Sequence, residues 1–332
     1  MRKAFKILGW LLAVVLLLLG IGIAYFMVRY PRSADPPDVT VEATPERLAR
    51  GEYLFNSVSL CFACHSGGDE SGAFPYVDPA GIGQGGGAFP LGEAGIVYAR
   101  NITPTAIGEW TDGELIRALR DGVNAKGEAL FPIMPYTNYR HLTQEDLYAV
   151  VAYTRSLAPK SDQVPDRELH FPMSVIIRMM PTVAQWPPPQ AAPDTSDYAA
   201  YGRYVATAAS CAECHTPRGE RGEAMPGMDF AGGNDFPVQG WVARSSNITP
   251  DSATGIGRWT REDFIGRFKS TEPYATAVKP RGADEPHSPM PWPYYATMTE
   301  QDLGAIYDYL RALPAVEHRV AKFERSEEVQ TP

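Results

Sequence analysis

The chain has 332 residues, which is long enough for two domains with separate hydrophobic cores. Its 30 Lys and Arg against 39 Asp and Glu give a net charge of −9, which argues against nucleic-acid binding, because that function needs a basic surface. The 30 glycines and 30 prolines exceed ordinary usage and predict a large share of ordered loop.

The N-terminus predicts a membrane-spanning helix. An uninterrupted apolar run extends from Ile7 to Val28, long enough as a helix to cross the ~30 Å hydrocarbon core of a bilayer. Arginine and lysine precede the run, which predicts a single pass through the bacterial cytoplasmic (inner) membrane with the rest of the chain on the periplasmic side. The run is longer than the apolar core of a signal peptide and no A-x-A cleavage site follows, so we expect an uncleaved anchor at residues 1–30. Residues 31–44 are predicted to be an extended, mobile linker.

Two short motifs contain every cysteine in the chain. The C-x-x-C-H spacing is that of covalent haem attachment, in which both thiols bond to the porphyrin and the histidine binds the iron. A zinc site would gather four ligands from neighbouring pairs, and a redox dithiol has no need of the histidine. We therefore predict two covalently bound haem c groups with a histidine ligand to each iron. The motifs are Cys61-Phe62-Ala63-Cys64-His65 and Cys211-Ala212-Glu213-Cys214-His215.

The sequence around the first motif recurs around the second in the same order. Each half opens with an amphipathic helix containing a glycine, Gly51 or Gly202, whose cost within a helix predicts the close approach of another helix. The haem motif, a glycine-rich loop, an Asn-Ile-Thr-Pro turn, a threonine-capped helix, a proline-rich methionine loop and a closing helix follow. The opening and closing helices have to cross if both are to contact haem, so each half is predicted to be a small all-α domain.

One methionine in each half is a candidate for the sixth iron ligand. Met134 is followed by Pro135 and Tyr136, and Met290 is followed by Pro291 and Trp292. Prolines restrict the backbone, which suits a loop that holds a thioether at bonding distance from iron. A methionine is more often a core filler, but these two occupy matching places in the repeat. We predict His/Met ligation by His65 with Met134 and by His215 with Met290.

The Asn-Ile-Thr-Pro turn has two candidate roles. In one, Asn101 and Asn247, or the nearby upstream Arg100 and Arg244, lie beside the haem propionates. In the other, the turn is purely structural. The sequence leaves both open.

Between the halves, the apolar stretch from Met173 to Met180 predicts a short helix. It could pack between the two domains, lie on the membrane or dock a partner. Packing between the domains is the expectation, because an exposed apolar patch needs a special reason.

These motifs carry a resemblance to a known family. Each half resembles a class I cytochrome c domain, and the pair resembles the cytochrome c subunits of membrane-bound alcohol, gluconate and related sugar dehydrogenases. The resemblance implies an all-α fold with two tandem class I cytochrome c domains after an N-terminal transmembrane helix. Such subunits commonly carry three haems, whereas this chain has two motifs. The residues that carry the resemblance are Cys211-Ala212-Glu213-Cys214-His215-Thr216-Pro217-Arg218-Gly219, the run from Asn247 to Phe264, and Met134-Pro135-Tyr136. The predicted divisions are domain 1 at 45–160, a connector at 161–194, domain 2 at 195–320 and a C-terminal tail at 321–332.

Two closed haem sites predict an electron-transfer protein rather than an enzyme. An iron bound by histidine and methionine has no open position for a substrate, and the thioether raises its potential. We expect single electrons to arrive from a membrane or periplasmic donor, such as a dehydrogenase subunit, and to leave for an oxidase, a soluble cytochrome or a quinone. The alternative is a peroxidase-like dihaem enzyme with one open iron. Such an enzyme usually has two unlike haem sites, whereas the two halves here share one layout.

Overall fold

The computed structural model describes residues 2–66, 79–161, 163–183, 188, 191–219, 222–238, 240–271 and 288–326. The described chain is mostly helical. Its first part contains α1 (Arg2–Arg29), α2 (Pro45–Tyr53) continuing into a π-helical turn (Leu54–Val58), α3 (Cys61–His65), α4 (Pro104–Ile107), α5 (Asp112–Asp121), α6 (Tyr136–Tyr139) and α7 (Gln144–Ser156). Next come α8 (Met173–Ile176), with a 3-10 turn at Ile177–Met179, α9 (Tyr198–Ala208), α10 (Cys211–His215), α11 (Arg261–Lys269), α12 (Trp292–Tyr295) and α13 (Glu300–Arg311).

Helix α1 stands apart from the rest of the fold, because none of its residues is buried by the protein. Its length and apolar composition suit a membrane span, although an N-terminal signal sequence would satisfy the same criteria. The helix is therefore a candidate membrane anchor.

The linker after α1 differs from the mobile spacer predicted for residues 31–44. It is extended, but it is fastened along α5. The backbone N–H groups of Ala34 and Val41 donate to the carboxylates of Asp121 and Asp112, each at 2.8 Å. Gly113 lies so close to the carbonyl oxygen of Pro37 that a Cβ would stand 1.9 Å from it. The chain that leaves α1 is thus held directly against the first half.

The opening and closing helices of each half cross at a glycine, as predicted. Helix α2 crosses α7 at Gly51, and α9 crosses α13 at Gly202. A Cβ on Gly51 would stand 2.0 Å from the carbonyl oxygen of Ala149, and one on Gly202 would stand 1.8 Å from that of Ala305. The predicted capping boxes are also present at the starts of α5 and α11, where Thr111 pairs with Glu114 and Thr260 with Asp263.

Each half also contains a small antiparallel sheet, which the all-α prediction lacks. The strands are β1 (Ala88–Pro90), β2 (Gly95–Tyr98) and β3 (Glu168–Leu169) in the first half, and β4 (Asp235–Val238), β5 (Trp241–Arg244) and β6 (Phe323–Arg325) in the second. In both sheets the third strand follows the closing helix and pairs with the middle strand. The predicted connector and the predicted C-terminal tail therefore each add a strand to the half that precedes them.

The apolar segment around α8 does not show the interdomain packing expected of it. Ile177 is buried, but Phe171, Val175 and Met179 are exposed by 83%, 42% and 46%. Among these residues the segment is thus buried on one side and exposed on the other, so the argument from burial holds for Ile177 alone.

The two halves meet in reciprocal hydrogen bonds between tyrosine and aspartate. The Tyr53 hydroxyl on α2 donates to Asp302 on α13 at 2.6 Å, and the Tyr204 hydroxyl on α9 donates to Asp146 on α7 at 2.5 Å. Each tyrosine also accepts from the N-cap threonine of the same opposite helix, Thr299 or Thr143, at 3.1 Å. Each opening helix is therefore hydrogen-bonded to the start of the closing helix of the other half.

This interface predicts a stability that falls at alkaline pH. Burial, followed by the hydrogen bond to Asp302, raises the pKa of Tyr53 to about 12, and burial with the nearby charge of Asp146 raises the pKa of Tyr204. A tyrosine whose pKa is higher in the folded state than in the unfolded state stabilises the fold. The contribution is complete at pH values below the unfolded-state pKa of about 10, and it is lost as pH rises through the folded-state pKa. Tyr53→Phe is expected to lower the free energy of unfolding at pH 7 by about 1–2 kcal/mol and to flatten its decline above pH ~10. Denaturant unfolding at stepped pH checks this.

The matched control is Tyr148→Phe, on the same helix as Asp146. The guanidinium of Arg47 lies over the Tyr148 ring at 5.3 Å, and phenylalanine keeps that ring, so this variant removes a hydroxyl and leaves the ring contact. A Tyr53→Phe variant with the wild-type pH slope would contradict a role for the hydroxyl.

Candidate haem sites

Both cysteine motifs form the same single-turn helix. In α3 and in α10 the residue before the first cysteine adopts a left-handed conformation, with φ 49° at Leu60 and 55° at Ser210. Such a conformation is uncommon for residues other than glycine, and here it turns the chain sharply from the opening helix into the attachment helix. Residues three apart lie on one face of a helix. The two thiols of each motif therefore face the same side, as two bonds to one porphyrin require.

Burial of the thiols does not favour a redox pair. Burial raises the pKa of Cys61 and of Cys211 to about 12 and that of Cys64 to about 11. A reactive dithiol needs a thiolate near neutral pH and therefore a lowered pKa. Within the described ranges, moreover, no group of three or more His, Cys, Asp or Glu side chains converges as a metal site would need. Both alternatives to haem attachment thus lack support.

The two motif histidines are oriented in the same way. Nδ1 of His65 lies 2.7 Å from the carbonyl oxygen of Arg100, and Nδ1 of His215 lies 2.8 Å from that of Ser246. A carbonyl only accepts, so Nδ1 carries the proton and Nε2 presents its lone pair. Burial also lowers the pKa of both imidazoles, which favours the neutral form. This is the tautomer that an iron ligand needs, with its second ring nitrogen held by a backbone acceptor.

The glycine-rich loops are hydrogen-bonded to the ends of the attachment helices. The N–H of Gly85 donates to the carbonyl of His65, and that of Gly232 donates to the carbonyl of His215, each at 2.7 Å. A Cβ on Gly87 would stand 2.5 Å from the carbonyl oxygen of Cys64, so only glycine fits there. The loop thereby positions the segment that holds each histidine.

The methionine loops are tied to the same helices by a tyrosine. Met134 and Met290 are half-buried, and each precedes a one-turn helix, α6 or α12. The Tyr139 hydroxyl in α6 donates to the carbonyl of Ser59 at 3.0 Å, and the Tyr295 hydroxyl in α12 donates to that of Ala209 at 2.8 Å. Both acceptors stand just before the first cysteine of their motif. Sequence reasoning missed these two tyrosines, although their equal spacing from the two methionines was a signal.

The Asn-Ile-Thr-Pro turns use their asparagines internally. The Asn101 side-chain oxygen accepts from the N–H of Thr103 at 2.8 Å and its amide donates to the carbonyl of Lys160 at 3.1 Å. Asn247 makes the matching bonds to Thr249 and to the carbonyl of Val316. These contacts fasten the histidine-holding loop to the chain after the closing helix, which favours the structural role.

The two arginines differ in their surroundings. Arg100 donates to the carbonyl of Pro165 at 2.9 Å and pairs with one carboxylate, Asp166, at 3.2 Å. Arg244 pairs with two carboxylates, Asp235 at 2.7 Å and Glu324 at 2.8 Å. The backbone carbonyl of Arg100 accepts from His65, and in the second half the carbonyl of Ser246 accepts from His215. Arg100 therefore corresponds to Ser246 and not to Arg244. Contact of Arg100, Arg244, Asn101 or Asn247 with haem propionates stays a prediction.

Comparison with known proteins agrees with this geometry. Residues 199–314 match the cytochrome c family. The chain is 31% identical over 296 residues to the cytochrome c subunit of alcohol dehydrogenase (quinone) from Gluconacetobacter polyoxogenes, an alignment that covers 83% of this chain and 58% of that subunit. It is 28% identical to the gluconate 2-dehydrogenase cytochrome c subunit from Pantoea cypripedii, over 87% of this chain and 64% of the subunit. It is 29% identical to a dihaem cytochrome c-type protein from Cereibacter sphaeroides, over 91% of this chain and 97% of that protein.

The chain thus spans 58–64% of the length of these two dehydrogenase subunits and nearly all of the dihaem protein. Residues 199–314 form a cytochrome c domain, and the chain as a whole is similar to the cytochrome c subunits of dehydrogenases and to a dihaem cytochrome c.

Proposed function

We propose that the chain is a dihaem c-type cytochrome that passes single electrons between redox proteins at a membrane. The observation that carries this proposal is the duplicated attachment site. Each site has two thiols on one helical face and a histidine whose Nδ1 is held by a backbone carbonyl at 2.7 or 2.8 Å. Cys61, Cys64, Cys211 and Cys214 would form the thioether bonds, and His65 and His215 would bind the irons.

Met134 and Met290 would complete the two iron sites. Their matching loops, each tied by a tyrosine to its attachment helix, support this assignment. Haem would supply reversible one-electron chemistry, and an iron bound by both a histidine and a methionine would have no position left for a substrate. The protein's own part is to hold the imidazole tautomer, to keep the thioether in place and to exclude water.

The halves would be two tandem class I cytochrome c domains, at residues 45–160 and 195–320. Across their interface, the amide of Asn138 donates to Glu213 at 3.2 Å, and the rings of Phe62 and Tyr294 lie 4.7 Å apart. In each contact, the helix after one methionine meets the attachment helix of the other half. These contacts hold the two attachment helices near each other, which supports electron transfer between the two domains.

The partners follow from the relatives and from α1. The alcohol and gluconate dehydrogenase subunits are named as cytochrome c subunits of those enzymes. We propose a membrane or periplasmic dehydrogenase as donor and a respiratory oxidase, soluble cytochrome or quinone as acceptor. Helix α1 would cross the bacterial inner membrane once, with both haem domains on the periplasmic side.

A haem count with a ligand-binding assay tests the proposal. Alkaline pyridine converts haem c to a form of known absorbance, and we expect two haems per chain. Both should be low-spin in the oxidised and reduced states, and the reduced protein should not bind carbon monoxide at neutral pH, because histidine and methionine close both faces. One haem per chain would contradict the duplicated site. Binding of carbon monoxide to one reduced haem would support the peroxidase-like alternative.

A further inference from the structure

The segment from Phe171 to Met180 lies against the end of α1. The guanidinium of Arg178, through Nη2, donates to the backbone carbonyl of Met27 at 3.1 Å and to that of Tyr30 at 2.6 Å. The last carbonyls of a helix have no partner within the helix, and a cation is favourable beside them. Arg178 therefore caps α1 and fixes this segment at the point where the chain leaves the helix.

Two other contacts hold the same region to the first half of the chain. Shortly after α1, the N–H of Ala34 donates to Asp121 at 2.8 Å. Beyond the segment, Arg140 donates to the side-chain oxygen of Thr182 at 2.8 Å. The end of α1, the segment and the first half are thus joined by short bonds rather than by a free linker.

The segment exposes an apolar face beside the end of α1. Phe171 lies just before α8, Val175 lies within it and Met179 lies in the 3-10 turn that follows it. All three are exposed, by 83%, 42% and 46%. Ile177, at 2%, lies on the opposite side and packs into the protein. The stretch from Phe171 to Met180 contains no acidic residue, in a chain whose net charge is −9.

We propose that Phe171, Val175 and Met179 insert into the interface of the bilayer that α1 crosses. This inference rests on the membrane anchor of the proposed function. The occupant is lipid because Arg178 fixes the face at the last turn of α1, where Val28 is itself 90% exposed. The rings of Phe26 and Tyr30 pair there at 5.1 Å, and aromatic rings favour the membrane–water boundary. Exposed apolar side chains at that depth favour the boundary between headgroups and acyl chains.

Such a contact gives the molecule a defined orientation. A single spanning helix alone allows the domains to tilt and turn above the membrane. A second contact, rigidly attached to the first half, would fix which side of the haem domains faces the lipid and which side faces redox partners.

Spin labels on the full-length, haem-loaded protein in phosphatidylcholine vesicles test this. Native cysteines are bonded to haem in the proposed function, so a single new cysteine is the only site that takes the label. The test positions are Phe171→Cys, Val175→Cys and Met179→Cys. Met225→Cys is the matched control, because Met225 is 42% exposed, as Val175 is, but lies away from the α1 segment in sequence. Leu16→Cys, in the middle of α1, is the standard for lipid.

Accessibility to oxygen, which concentrates in lipid, is compared with accessibility to a water-soluble nickel chelate. We expect the oxygen-to-nickel ratio at positions 171, 175 and 179 to be several-fold higher than at position 225 and to lie between the ratios at positions 225 and 16, as an interfacial depth requires. A ratio equal to that at 225, with position 16 still lipid-like, overturns the proposal while the anchor stands. Protection from both reagents means packing against protein and also overturns it. A water-like ratio at position 16 overturns the anchor itself.

Discussion

Gly202→Ala is expected to prevent the second half from folding around its haem. The new Cβ would stand 1.8 Å from the carbonyl oxygen of Ala305 and 2.5 Å from its carbon. Both are backbone atoms of α13, so no side chain can move aside, and α9 and α13 have to separate. Overpacking of a well-packed contact commonly costs 1–3 kcal/mol, and for a backbone clash we expect about 3 kcal/mol or more. Thermal unfolding and haem content per chain measure the loss.

Gly266→Ala is the matched control, in α11 of the same half. A Cβ there meets nothing within 4 Å, and alanine favours a helix over glycine by ~1 kcal/mol. This variant should keep two haems and the wild-type melting temperature, or melt slightly higher. Gly51→Ala, whose Cβ would stand 2.0 Å from the carbonyl oxygen of Ala149, should produce the same loss in the first half. A Gly202→Ala protein that behaves like Gly266→Ala would show that the crossing does not need glycine.

The features that the sequence predicted well are those set by neighbouring residues. Helix caps depend on a threonine and an acid three positions later, and both predicted capping boxes form. The crossing glycines were recognisable because glycine in a helix has a cost that only a close contact explains.

The features that the sequence did not predict depend on residues far apart in the chain. Strands β3 and β6 have only two or three residues, too few for an alternating pattern. Each forms because the chain after the closing helix pairs with the middle strand of its sheet, β2 or β5, which lies earlier in the sequence. Tyr53 and Tyr204 occupy matching helical positions, but their partners Asp302 and Asp146 belong to the other half. No local pattern reveals such a pairing.

The linker and the α8 segment show a different limit. Composition indicated a mobile spacer, yet the N–H groups of Ala34 and Val41 find carboxylates on α5. The apolar character of the segment from Met173 to Met180 indicated burial, yet its outer face is open. Composition describes what a segment would do alone, whereas a few hydrogen bonds to a folded surface decide where it lies.

Met290→Leu is expected to lower the reduction potential of one haem and leave the other nearly unchanged. Leucine keeps the volume but removes the thioether, and the axial methionine is the ligand that raises a haem potential. We expect a fall of roughly 0.1–0.3 V, a fraction of the ~0.8 V that axial ligation spans. A spectroelectrochemical titration should resolve the shifted haem, and the weak far-red band of the oxidised Met–Fe bond should lose about half its intensity. Met134→Leu should give the same result for the other haem.

Met225→Leu is the control, because Met225 lies on the surface of the same half at 42% exposure. It should keep both potentials and the full far-red band. If Met290 is the sixth ligand, as proposed, its loss would open one face of that iron, and the reduced Met290→Leu protein should bind one carbon monoxide per chain. Unchanged potentials and an unchanged far-red band would mean that another group ligates this iron. The Tyr295 hydroxyl, which donates to the carbonyl of Ala209 at 2.8 Å, is unchanged in that variant and should still hold the loop. Loss of the far-red band with an intact fold would therefore show that Met290 acts as an iron ligand and not through the structure of its loop.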